Sequence, residues 1–149
     1  MILNEPKKSY HQPMHTCEHI LNQTMVRMFA CGRAVNAHIE SKKSKCDYLL
    51  DQCPSDEQVR LIVNQVNCVI NQHLNVSDEL MSRNDAMKVV DLSKLPAEAT
   101  QMLRVVRVGD YDACACIGQH VTNTSEIGQF EIISHDFQEG KWRVRFRLV

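Results

Sequence analysis

No apolar run in this sequence approaches the roughly 18 residues that a membrane-spanning helix needs, so no membrane partner is expected. Charge of one sign is lacking too. The net charge is −1 at pH 7 and the pI about 6.6, which leaves no global field to draw the chain onto nucleic acid or anionic lipid. The opening residues Met1-Ile2-Leu3-Asn4-Glu5-Pro6-Lys7-Lys8 lack the apolar core of a secretory leader. Repeats, low-complexity tracts and linkers are absent. Seven cysteines are present, but the number is odd, and Cys31, Cys46, Cys53 and Cys68 show no framework spacing. Reduced thiols in a cytoplasmic protein are expected rather than a disulfide scaffold.

The chain has 149 residues, 44% hydrophobic and 23% charged, which is ordinary for one soluble globular domain. Residues 1–13 are polar, carry Pro6 and Pro13, and are expected to form a flexible lead-in to a single domain over 14–149. Residues 14–31 read as a helix ended by Gly32. Its apolar residues Ile20, Leu21, Met25, Val26, Met28 and Phe29 surround the whole circumference, which predicts a central, mostly buried element. Extended stretches over 34–40 and 45–51 follow, joined by a polar turn. Ser55 and Gln58 form a capping box for a second helix, striped by Val59, Ile62, Val63, Val66, Val69 and Ile70. Strands are predicted over 76–81 and 102–108, a brief helix after Ser82, and a hairpin of 127–136 with 141–149 around Glu139-Gly140. In the last strand Trp142, Val144, Phe146 and Leu148 alternate with Arg143, Arg145 and Arg147, so one face is buried and the other cationic. The fold class is α+β, a mainly antiparallel sheet packed by two long helices.

Two pieces far apart in sequence carry the chemistry: His15-Thr16-Cys17-Glu18-His19 and Cys116-Ile117-Gly118-Gln119-His120. Each has two metal-ligating residue types at i and i+4, which on a helix share one face about a turn apart. Three imidazoles and a thiolate make a tetrahedral nitrogen and sulfur set that suits Zn²⁺ best among common metals. Cys114 is a possible substitute for the thiolate. His15, Glu18 and His19 also spell H-x-x-E-H, the inverted zincin pattern in which the glutamate is a general base, and a metalloprotease is one alternative.

The segment Cys116-Ile117-Gly118-Gln119-His120-Val121-Thr122-Asn123-Thr124-Ser125-Glu126-Ile127-Gly128-Gln129-Phe130-Glu131-Ile132 resembles the signature C-x-G-x-H-V-x-x-T-x-E-I-G-x-F-x-I of alanyl-tRNA synthetase editing domains. His15-Thr16-Cys17-Glu18-His19-Ile20-Leu21 resembles their H-T-x-x-H motif and the apolar residue and leucine that follow it. The whole is similar to a free-standing editing protein of the AlaX type, short form, related to the second additional domain of threonyl- and alanyl-tRNA synthetases. The chain departs from the usual pattern at Cys17, Ile117, Gln119 and Ser125. These changes keep the metal set and leave the hydrolysed amino acid open.

The resemblance implies zinc held by His15, His19, Cys116 and His120, and hydrolysis of mischarged tRNA, Ser- or Gly-tRNA for alanine. It places the thiolate at Cys116. Candidate catalytic side chains are Thr16, Glu18 and Thr124, and the metal can be catalytic or positioning. A non-catalytic, zinc-stabilised tRNA-binding module of the same fold is a further alternative. Local cations available for tRNA are Lys141, Arg143, Arg145 and Arg147, with Lys42, Lys43 and Lys45.

Overall fold

A computed structural model describes residues 11–90 and 102–149. Helix α1 spans Gln12–Phe29, with His11 at its N-cap accepting from the Met14 amide through Nδ1 at 3.3 Å. Pro13 sits in the first turn, where its missing N–H leaves no intrahelical bond unmade. The expected lead-in over 1–13 is therefore shortened by Gln12 and Pro13, and residues 1–10 lie outside the described residues. The helix also stops before the expected Cys31-Gly32 end. Ala30 takes the left-handed conformation, φ 52°, and its amide closes on Val26 O at 3.0 Å, so the C-cap falls two residues before the glycine. Burial is continuous from Met14 through Cys17 and high to Met25, but Arg27 and Met28 reach solvent.

Strands β1 (Asn36–His38), β2 (Ser44–Leu49), β6 (Phe130–Gln138) and β7 (Lys141–Leu148) build an antiparallel sheet in the order β1-β2-β7-β6. The β6–β7 turn places Glu139 and Gly140 at φ 51° and 79°, as a two-residue hairpin loop with the native twist requires. Helix α2 (Asp56–Ile70) starts at the Ser55–Gln58 capping box, with both reciprocal hydrogen bonds formed at 3.1 and 2.9 Å. Its stripe faces inward through Ile62, Val66, Val69 and Ile70.

The remaining strands form a second antiparallel sheet of three, so the expected sheet divides in two. β3 (Val76–Met81) pairs with β4 (Leu103–Val108), and β4 with β5 (Asp112–Ala115). Strand β5 has no β-branched or aromatic residue, and pairing with β4 makes it a strand. A short helix α3 (Arg83–Ala86) is capped by Ser82.

The core lies between α1, α2 and the inner face of the four-stranded sheet. Tyr48, Trp142, Val144 and Phe146 from the sheet meet Met14, Cys17, Ile20, Leu21 and Met25 from α1. Each such side chain contributes about 1.5–3 kcal/mol by leaving water. The one polar atom Tyr48 brings inside is satisfied, since its hydroxyl donates to Asn22 Oδ1 at 2.7 Å. Gly128 precedes β6 at φ 91°, and a Cβ there would stand 2.8 Å from Val149 O, so only glycine fits this crossing.

Candidate metal centre

The N-terminal half of α1 presents His15 and His19 one turn apart, and the loop after β5 presents Cys116 and His120. The four offer ligand atoms that all lie within 4.8 Å of one another, with both α1 histidines buried. Cys116 Sγ is 3.4 Å from His15 Nε2 and 3.5 Å from His120 Nε2. Ligands of a tetrahedral zinc, with Zn–S of about 2.3 Å and Zn–N of about 2.0–2.1 Å, stand roughly 3.5 Å apart. The donor set and its dimensions therefore fit such an ion. The rings pack closely as well: His15 and His120 stack at 4.1 Å between centroids, and His19 meets His120 edge-on at 4.4 Å.

Local contacts fix the loop to the helix through the ligands themselves. His15 Nδ1 donates to Gln119 O at 3.1 Å, which leaves Nε2 facing Cys116. His120 Nδ1 shares a 2.9 Å hydrogen bond with Thr16 Oγ1, and that hydroxyl also accepts from the Val121 amide at 3.2 Å. Arg104 of β4 donates from Nη1 to Cys116 O at 3.1 Å and Gly118 O at 2.7 Å. The Gly118 amide donates to Cys116 Sγ at 3.4 Å.

The electrostatics suit cation binding. Burial lowers His15, and it holds His19 well below its ordinary range, aided by His120. Burial, with His15 and Arg104 nearby, brings His120 to about 3. All three imidazoles are thus neutral at physiological pH, with lone pairs available. Burial pushes the Cys116 thiol up, so it needs a cation beside it to become a thiolate.

The remaining candidates sort by position. Thr16 is wholly buried and spends its hydroxyl on His120 and Val121. Glu18 Oε1 lies 3.7 Å from His15 Nε2, the atom that faces the cluster, and its side chain is only 13% exposed. Thr124 stands apart from the cluster. Its hydroxyl donates to Ile70 O and accepts from the Leu74 amide, both at 2.9 Å, closing the end of α2. Glu126 of the same signature is also spent locally, accepting from the Thr122 and Asn123 amides at 3.0 Å. Cys114 lies in β5, outside the four-residue group. Arg143, Arg145 and Arg147 are each paired with a carboxylate, Asp47 at 2.8 Å, Asp136 at 2.9 Å and Glu131 at 3.0 Å. Their strand face is a ladder of ion pairs, and Lys141 is exposed at its end.

Sequence reasoning missed Asp112, Arg33 and Arg104. Asp112 is the most telling, a fully buried carboxylate with Oδ2 3.7 Å from His19 Nδ1. Its only sequence signal is an acidic residue in an otherwise apolar and cysteine-rich run.

Residues 103–145 match the family described as threonyl and alanyl tRNA synthetase second additional domain. The chain is similar to the alanine–tRNA ligase of Hyperthermus butylicus, 32% identical over 145 residues, covering 91% of this chain and 15% of that protein. This chain resembles the second additional domain of threonyl and alanyl tRNA synthetases. The alanine–tRNA ligase of Aeropyrum pernix is 31% identical over 140 residues, 89% of this chain and 15% of that one. That of Halalkalibacterium halodurans is 30% identical over 136 residues, with the same coverages of 89% and 15%. The chain thus spans about 15% of the length of these relatives. No helix among its described residues is long and apolar enough to cross a membrane.

Proposed function

We propose that this chain is an aminoacyl-tRNA deacylase, hydrolysing the ester between a wrongly attached amino acid and the 3′ end of tRNA. Ser- or Gly-tRNA for alanine is the substrate, and the reaction takes place at a zinc site of His15, His19, Cys116 and His120. The single observation that carries this reading is the convergence of those four donors to within 4.8 Å of one another, in a chain similar to alanine–tRNA ligases. Bound zinc supplies a positive charge that stabilises the oxyanion of ester hydrolysis or anchors the terminal adenosine.

The chain's own residues do the rest. Gln119 O holds the His15 ring in one orientation and tautomer, and Thr16 Oγ1 orients the His120 ring. Glu18, on the rim of the cluster, carries the acceptor that takes a proton from the attacking water at Oε1. Discrimination between serine and alanine demands a polar partner that would be left unpaired by the smaller residue.

The test is deacylation of Ser-, Gly- and Ala-charged tRNA for alanine, with Ser-charged tRNA for threonine beside them. Hydrolysis of Ser- or Gly-tRNA with Ala-tRNA largely spared is expected. Glu18→Gln should slow it by roughly 10²–10⁴-fold with zinc content unchanged. A second reading has its own supporting observation. Four protein ligands describe a closed structural site, as in a zinc-stabilised tRNA-binding module. Tight tRNA binding with every ester left intact would decide for that module.

A further inference from the structure

His15 and His120 each have a partner for the ring nitrogen that turns away from the cluster, a backbone carbonyl for one and the Thr16 hydroxyl for the other. His19 differs. Its Nδ1 is buried with nothing in hydrogen-bond range, and the nearest carboxylate oxygen is Asp112 Oδ2 at 3.7 Å. A buried polar atom left unpaired is costly, and a buried carboxylate more so unless it is compensated. Asp112 is compensated from two further directions. Arg33, just beyond α1, grips it with two hydrogen bonds of 2.7 and 3.3 Å, and Gln23 of α1 donates to Oδ1 at 3.2 Å. The carboxylate is therefore held firmly beside His19.

We propose that Asp112 is the positioning residue for His19: it accepts the Nδ1–H of the metal-loaded protein and so commits Nε2 to the ion, while Arg33 and Gln23 fix the carboxylate. This rests on the four-residue metal site and not on the reaction performed there. A histidine ligand whose second nitrogen donates to a carboxylate is both oriented and made a better donor, and losing that partner typically costs 10–100-fold in metal affinity. Strand β5 then has a function of its own. It carries Asp112 at its start and leads directly to Cys116, so a single element delivers both a ligand and the acceptor for another ligand.

The experiment measures zinc affinity by chelator competition, and the histidine ring nitrogens by ¹⁵N NMR of the zinc-loaded protein. In the unaltered chain, His19 is expected zinc-bound through Nε2, with a slowly exchanging Nδ1 proton. Asp112→Asn should lower zinc affinity about 10–100-fold and shift or lose that proton signal, with the His15 and His120 signals kept. Because this variant leaves Arg33 without its counter-charge, Arg33→Met/Asp112→Asn is measured alongside, with both charges removed. If Asp112 serves only to neutralise Arg33, the double variant regains the original affinity. Continued weakness in the double variant supports the positioning role. An unchanged affinity and Nδ1 signal in Asp112→Asn would overturn it, as would His19 bound through Nδ1. A chain that takes up no zinc at all would instead remove the metal site itself, and this role with it.

Discussion

The four clustered side chains owe their geometry to very local chemistry. His15 and His19 are brought together by one helical turn, and Cys116 and His120 by a loop that Arg104 ties back to β4. Each ligand in such a set is hard to replace, since binding energy of the ion is also folding energy. We expect purified protein to hold about one zinc per chain. His19→Ala and Cys116→Ala should each lose it and melt at a lower temperature. Full zinc retention in both variants, read by metal analysis, would count decisively against the site. At the same scale the signature residues divide by role. Cys116 and His120 enter the cluster, while Thr124, Glu126 and Gly128 build the turn behind it. Nothing in the motif alone separates those two duties, because both need the same few residue types at fixed spacing.

Among the elements, β7 explains the arginine pattern. Its inner face supplies Trp142, Val144 and Phe146 to the core, and its outer face meets acidic residues on both neighbours, Asp47 on β2 and Asp136 and Glu131 on β6. Asp47 is the buried member, 2% exposed at its side chain, and the Arg143 hydrogen bonds hold its carboxyl below the usual range. The sign of its pH dependence follows. The unfolded chain takes up the proton near the ordinary Asp value of about 3.9, and the folded chain only at lower pH. The stability from this pair is therefore complete above that ordinary value and is lost as pH falls through the depressed one. Urea midpoints of the original chain and Asp47→Asn should differ by a constant amount above about pH 5 and converge as pH falls below the ordinary Asp value. A difference independent of pH would show that the pair contributes through packing alone.

At the scale of the whole molecule, the proposed function requires a chain of net charge −1 to hold tRNA. Exposed ion pairs are weak, so Arg145 and Arg147 can exchange a carboxylate for a phosphate at little cost. We expect replacement of Arg143, Arg145 and Arg147 by Gln to weaken tRNA binding and flatten its salt dependence, with zinc content unchanged. If affinity and salt slope both stay put, the ladder serves the sheet and tRNA is held elsewhere.

What the sequence determined by itself is what nearest neighbours along the chain control. The Ser55–Gln58 capping box, the Glu139-Gly140 hairpin, the inward stripe of α2 and the His15–His19 pair on α1 all follow from spacing within a few residues. The tertiary structure decided the rest. Ala30 rather than Gly32 ends α1, the expected sheet divides in two, and β5 is a strand because β4 pairs with it. Asp112 stands at His19, and acidic partners neutralise the arginine face. The physical reason is common to these cases. Desolvation and pairing depend on which distant residues arrive alongside, and no local pattern of residue types encodes that arrival.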